Sequence, residues 1–305
     1  MGWFSILNVR LFYVRFFMTD AAPTTSITPM LSGYSIELNP SSKVLDATLD
    51  RLAPGTEVFL TWIPGANPMH MVGTARRLRR AGLFPVPHVG ARHLESSTQL
   101  EQFAVRLVSE AGVDRILVIG GDRAKPAGPY DSSLAVMRTE LFQRAGIIRM
   151  AVGGFPEGNP NISETALAEA LAAKVNFARS AGLELSIVTQ FCFQAEPIVG
   201  WLERIRACGI DNPVRVGLAG PAGLVTLARY AVRCGVGTSL QVLTRNPSFA
   251  RLLADKGPEP IIRGIAALAG PGKNGRLPLG IAGLHFFVFG GFKQTVDWIS
   301  AGRAR

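Results

Sequence analysis

Eight short runs of β-type residues, each set off from the next by a stretch with helical spacing, limit what this chain can fold into more than any other feature. The runs are Tyr34 to Leu38, Val58 to Thr61, Phe84 to Val89, Arg115 to Ile119, Ile148 to Val152, Leu185 to Gln190, Val214 to Leu218 and His285 to Phe289. Strands that alternate with helices predict repeated βα units rather than a sandwich or a bundle. The runs are apolar along both faces, as buried parallel strands are, which favours a closed (β/α)8 TIM barrel over an antiparallel sheet. An open doubly wound sheet would give similar local patterns.

The helical stretches support this. Ser97 to Ala111 carries Leu100, Phe103, Ala104, Leu107 and Val108 on one stripe, and Glu164 to Ala181 carries Leu167, Leu171 and Val175. Gly112, Gly182 and Gly209 stand where helix C-termini should release the chain. The interval from Ala219 to Leu284 holds helices at Ala222 to Cys234, Pro247 to Leu253 and Pro260 to Leu268, followed by a glycine-rich loop from Gly270 to Gly275. At 305 residues the chain suits one barrel domain over residues 31–305. Residues 1–30 read as an N-terminal extension, disordered or weakly helical, with Met18 as a second candidate start.

Three cysteines without a C-x-x-C pair exclude a disulfide scaffold and a structural zinc site, and fit the reducing cytoplasm. The four histidines show no metal-ligand spacing, so no metal is expected. Arg10 and Arg15 interrupt the apolar N-terminal segment, and no later run is long enough to span a bilayer. The net charge of +10 would draw any anionic partner. Its densest cluster, Arg76, Arg77, Arg79 and Arg80, lacks any nucleic-acid-binding pattern and reads as a solvated face.

In a barrel of this kind the site forms at the C-terminal ends of the strands. Several polar residues are expected there: Glu37, Thr61, His88, Asp122, Glu157 and Gln190. Glu37, set among Tyr34, Ser35, Ile36 and Leu38, should be desolvated, with a raised pKa suited to a general acid. The alternative is a strand-end carboxylate paired with a cation. Gly120-Gly121-Asp122 lets backbone approach a ligand, or is an ordinary turn with Asp122 as a helix cap. His88 reads as a donor to a cofactor or as a satisfied core histidine, and His285, at the start of its strand, as structural. The loop Gly153 to Pro160 is stiff and turn-rich. No Rossmann or P-loop motif occurs.

Taken in order and spacing, Ser35-Ile36-Glu37, Pro87-His88-Val89, Gly120-Gly121-Asp122, Gly154 to Pro160 and Thr189-Gln190-Phe191-Cys192-Phe193 resemble the motifs of the methylenetetrahydrofolate reductase family. The resemblance runs from about Tyr34 to Phe289. It implies a (β/α)8 flavoprotein in which electrons from NADH or NADPH pass through FAD to methylene-tetrahydrofolate, or the reverse oxidation in a demethylation pathway. It implies Glu37 as the acid that opens the folate ring, Asp122 as the carboxylate near flavin and pterin, and Gln190 as the amide that orients folate and nicotinamide. Thr61, Ala66, His88, Gly120, Gly121, Asp122, Tyr130, Phe155, Asn159 and Lys174 fall at or near its cofactor contacts, and Phe193 joins Glu37, Asp122 and Gln190 around the substrate.

The chain departs from the family pattern at several points. Gly120 replaces an arginine, Asn159 a histidine, Ala170 and Ala173 polar residues, and Gly290 or Gly291 a folate-contacting arginine, while Trp62-Ile63-Pro64 is inserted after the second strand. These differences keep two alternatives open: an FAD-independent folate oxidoreductase on the same barrel, and a catalytically silent binding subunit with a basic surface. The expected partner is a folate, whose polyglutamyl tail the positive rim would favour at low salt. Nucleic acid and stable membrane insertion are not expected, and self-association into a homo-oligomer is compatible with the sequence.

Overall fold

The computed structural model describes residues 27–41, 49–63, 65, 67–233, 236, 244–272 and 277–303. Its eight strands are β1 (Ser35–Leu38), β2 (Glu57–Leu60), β3 (Phe84–Gly90), β4 (Arg115–Ile119), β5 (Arg149–Gly154), β6 (Glu184–Thr189), β7 (Val214–Ala219) and β8 (Ile281–Phe287). All neighbours pair in parallel, and β1 also pairs with β8, so the sheet closes into a barrel in sequence order. The (β/α)8 architecture expected from the sequence is therefore the observed one.

Helices α2 (Met69–Arg80), α3 (Ser97–Ala111), α6 (Glu164–Ser180) and α7 (Ala195–Ala207) follow β2, β3, β5 and β6. The short α4 (Ser133–Met137) and α5 (Leu141–Arg144) follow β4, and α11 (Phe292–Arg303) follows β8. Among the described residues between β7 and β8 are the helices α8 (Leu224–Arg233), α9 (Pro247–Lys256) and α10 (Glu259–Ala269). Ser96 starts α3 by accepting a hydrogen bond from the Gln99 amide, and Gly112 ends it at φ 59°. The segment α1 (Thr28–Leu31), which falls inside the expected extension, packs on β8 and α11 with Met30 and Leu31 buried. The barrel body thus reaches back to at least Ile27, which is itself buried. Residues 1–26 lie outside the described residues.

Period-two alternation divides each strand between two cores. Outward residues such as Ile36, Leu38, Val58, Leu60, Ile116 and Val118 join the helix layer in one apolar cluster. Inward residues Phe59, Val86, Leu117, Ala151 and Val188 form a second cluster inside the barrel. Each large side chain fully buried there contributes about 1.5–3 kcal/mol.

Charged residues close the N-terminal end of the barrel. Arg115 bonds to Glu57 and Asp114, and Arg215 reaches Glu57 at 2.7 Å and the Gly33 carbonyl at 2.8 Å. Arg149 bridges Asp114 at 2.8 Å and Glu184 at 3.0 Å. A cavity of about 180 Å³ opens among these residues. Its charges are already matched to one another, and it lies at the end of the barrel that serves stability rather than chemistry.

Candidate active site

Glu37 is the third residue of β1 and points into the barrel at the level of Phe59, its register partner on β2. Ile36 and Leu38 turn outward into the helix layer, which fixes Glu37 on the lumen face. Its carboxyl is 15% exposed and lies 3.5 Å from His285 Nε2 and 3.8 Å from His88 Nε2. Phe59 meets both imidazoles edge-on, with centroids 4.5 Å from His285 and 6.0 Å from His88. The acid therefore sits between two rings above an apolar floor.

Burial sets the protonation of all three groups. It pushes the Glu37 carboxyl up to about 7, against a smaller opposing effect of His88. It pushes His88 down to about 4, with Glu37 opposing and His285 reinforcing the shift, and His285 down to about 3, with Arg215 reinforcing it. At neutral pH both rings are uncharged, so the two Glu37–histidine contacts are dipolar rather than ion pairs. The Nε2 atoms of His88 and His285 have no hydrogen-bond partner among the described residues. The other nitrogen of His285, Nδ1, lies 2.9 Å from Ser35 Oγ, which is also 3.4 Å from the Leu284 carbonyl.

His285 is the residue that the sequence reading missed. The eighth strand begins at Ile281, four residues before the expected start, so His285 lies within the strand and is completely buried. Gly283, with φ 153°, hid the beginning of the run. Alternation counted back from Phe287 would have placed His285 on the lumen face.

Of the other expected site residues, Thr61, Asp122 and Gln190 follow the C-terminal ends of β2, β4 and β6. Thr61 follows β2, its hydroxyl making a long 3.4 Å bond to the Leu38 carbonyl. Gln190 follows β6 and folds its Oε1 onto the Phe191 amide at 3.1 Å. Asp122 is 65% exposed, with Oδ1 at 2.7 Å from His93 Nε2. Gly120 and Gly121 precede it, and a side chain at Gly120 would meet open space. Tyr130 is buried just before α4, where burial raises its phenol pKa.

Phe155 and Asn159 lie in the loop after β5, where Asn159 accepts a bond from the Asn161 amide at 2.9 Å. Lys174, on the α6 helix that packs against α4, has its amine pKa lowered by burial and forms no ion pair or hydrogen bond among the described residues. Phe193 is 1% exposed and packs on Phe191, so it gives the site a packed wall rather than an open contact. Glu157 hydrogen-bonds Cys192, whose thiol is raised by burial and by that carboxylate. Ala66, the remaining expected cofactor contact, lies outside the described residues, as does Cys234.

No protein-family model matches the chain. Over 198 residues it is 25% identical to a protein of Pectobacterium carotovorum subsp. carotovorum named 5,10-methylenetetrahydrofolate reductase. The alignment covers 64% of this chain and 64% of that relative, so the chain spans less than two thirds of the relative's length. No helix among the described residues is long and apolar enough to cross a membrane. Glu37, His88, Asp122 and Gln190 lie on or just after the strands β1, β3, β4 and β6.

Proposed function

We propose that this chain is a folate oxidoreductase, a flavin-dependent methylenetetrahydrofolate reductase or a close relative running the reverse oxidation. The observation that carries the reading is Glu37: a buried carboxyl with a pKa near 7 at the catalytic end of the barrel, flanked by two neutral imidazoles. Such a group is about half protonated near pH 7, so it can both hold a proton and release it, as a general acid must. The named relative supports folate as the substrate class.

The residues present fit FAD. Gly120, just after β4, faces open space where a side chain would stand, so a planar ring could approach its backbone closely. Lys174 is a half-buried cation without an anionic partner among the described residues, as a phosphate contact would be. Thr61, Tyr130 and the free Nε2 of His88 offer further polar contacts. Bound FAD would supply the hydride chemistry, with NADH or NADPH as the electron source.

The chain's own residues would do the rest. Glu37 would give its proton to the folate nitrogen as the one-carbon ring opens. His285, held by Ser35, would orient that carboxyl, and Asp122 with Gln190 would hold the pterin edge. The flavin assignment is tested by the absorption spectrum of the purified protein before and after addition of FAD. Flavin bands, or their uptake, are expected. A protein that neither carries nor takes up flavin yet still oxidises NAD(P)H with methylene-tetrahydrofolate would establish the FAD-independent alternative.

A further inference from the structure

We infer that His93 is a positioning residue that anchors Asp122 at the mouth of the barrel, an inference that rests on the proposed substrate-facing role of Asp122. His93 Nε2 lies 2.7 Å from Asp122 Oδ1, and exposure shows which partner serves which. The imidazole is 7% exposed and the carboxylate 65%, so the ring is the buried support and the carboxylate the end that meets a ligand. In a pair built to make a histidine base, the exposures would be reversed.

The protein makes room for this ring at two glycines. A Cβ at Gly121, which has φ +92°, would stand 2.9 Å from His93 Cδ2. One at Gly90 would stand 3.1 Å from the same atom and 3.3 Å from Trp62. Trp62, from the segment inserted after β2, forms the remaining wall, with ring centroids 6.2 Å apart, and is itself braced edge-on by Phe103. A side chain at either glycine would have to displace a packed ring.

The turn that carries His93 is also fastened to the loop that carries Asp122. Arg92 donates its backbone N–H to the Gly120 carbonyl at 2.9 Å, and its carbonyl accepts the Ala127 amide at 2.9 Å. Its guanidinium donates to the carbonyls of Asp131 at 2.8 Å and Arg123 at 3.0 Å. The ring and the carboxylate thus face each other across a fixed gap. With one oxygen held by His93, Asp122 presents the other to a donor edge on the substrate, in a loop where Gly120 supplies no side chain of its own. The arrangement requires the Nε2–H tautomer of His93.

The test is a double-mutant cycle on the full chain, read as the Kd for 5-methyltetrahydrofolate, with the ring tautomer read by long-range nitrogen–proton correlation NMR. His93→Ala should weaken binding about three- to tenfold, the share of a charge-assisted hydrogen bond left at a half-solvated site. In an Asp122→Asn background the same change should cost less than about twofold, since a residue acting only through Asp122 has nothing left to act on. His93→Gln, whose amide nitrogen takes the place of Nε2, should restore affinity to within about twofold of the parent. Equal losses in both backgrounds, or an Nδ1–H ring in the parent protein, would overturn the inference. Should the parent bind no folate at all, the proposed function fails instead. The pair is then judged by NMR alone: the His93 ring signals must be those of Nε2–H and must change in Asp122→Asn.

Discussion

The two ends of this barrel treat charge in opposite ways. At the N-terminal end Glu57, Asp114 and Glu184 are matched against Arg115, Arg149 and Arg215 within bonding distance. For Arg115, bonds to Asp114 and Glu57 outweigh the effect of burial and raise its pKa. At the mouth Glu37 has only two uncharged imidazoles beside it, two ring nitrogens lack partners, and Lys174 lacks an anion among the described residues. Buried polar groups are normally satisfied, and a native protein that leaves several unsatisfied at one place is prepared for a guest there. The floor pairs its charges, and the proposed function places proton transfer, cofactor and substrate at the mouth.

This contrast can be broken by exchanging roles. Glu37→Gln keeps the shape of the side chain but removes its proton, and should slow folate reduction about 10²- to 10⁴-fold. Reduction of the flavin by nicotinamide should stay within a few-fold, because the proposed function uses Glu37 only in the folate half-reaction. Stopped-flow measurement of the two half-reactions decides this, and equal slowing of both would make Glu37 a cofactor-binding or structural residue.

At the floor the same kind of change should affect stability instead. Arg115→Met takes one of two cations from Glu57 and from Asp114, which keep Arg215 and Arg149, and should cost about 1.5–3 kcal/mol of unfolding free energy. Turnover per folded molecule should be unchanged. Urea titration beside steady-state kinetics is the check, and a large loss of turnover would join the two ends that the structure separates.

Protonation sharpens the contrast further. The folded pKa of Glu37, about 7, lies above its ordinary 4.5, so the folded state holds the proton more tightly. Stability from this group is therefore lost as pH rises from 4.5 through 7, by about 3 kcal/mol in all. His88 and His285 are depressed from 6.5 to about 4 and about 3, so they act with the opposite sign. Their neutral burial costs stability as pH falls below 6.5. Between 4.5 and 6.5 two histidines outweigh one glutamate, and stability should rise with pH. From 6.5 to 7 Glu37 acts alone, and stability should fall. Thermal midpoints measured from pH 4 to 8 should peak near 6.5, and Glu37→Gln should abolish the decline above the peak.

The smallest effect is expected at Lys174. Lys174→Met should weaken FAD binding about tenfold, the contribution of one partly solvated phosphate contact. Flavin fluorescence titration would measure it, and unchanged affinity would remove Lys174 from the cofactor site.

The legible part of this protein was the part written in local patterns. Seven strands fall within a few residues of their expected positions, and Ser97–Ala111 coincides with its predicted helix. Glu37 could be picked out because an acidic residue between Ile36 and Leu38 has no local reason to be there. The eighth strand was misplaced because Gly283 weakens strand propensity at the point where the run begins. Thr28–Leu31, where the expected extension meets the barrel, is held by packing on β8 and α11 rather than by its own sequence.

What the sequence determined by itself was the alternation of strands and helices, the parallel α/β class of fold, and the set of polar residues at the strand ends. These follow from periodicity and from the position of each residue along its own element. The partners were decided by tertiary structure. Ser35 meets His285 across 250 residues, Glu37 meets His88 and His285 from three different strands, and Arg115 meets Glu57 across 58. Barrel closure sets the register of β1 against β8, and no local rule carries that register. The same closure removes water from Glu37, so the acid's pKa belongs to the folded barrel and not to the residue.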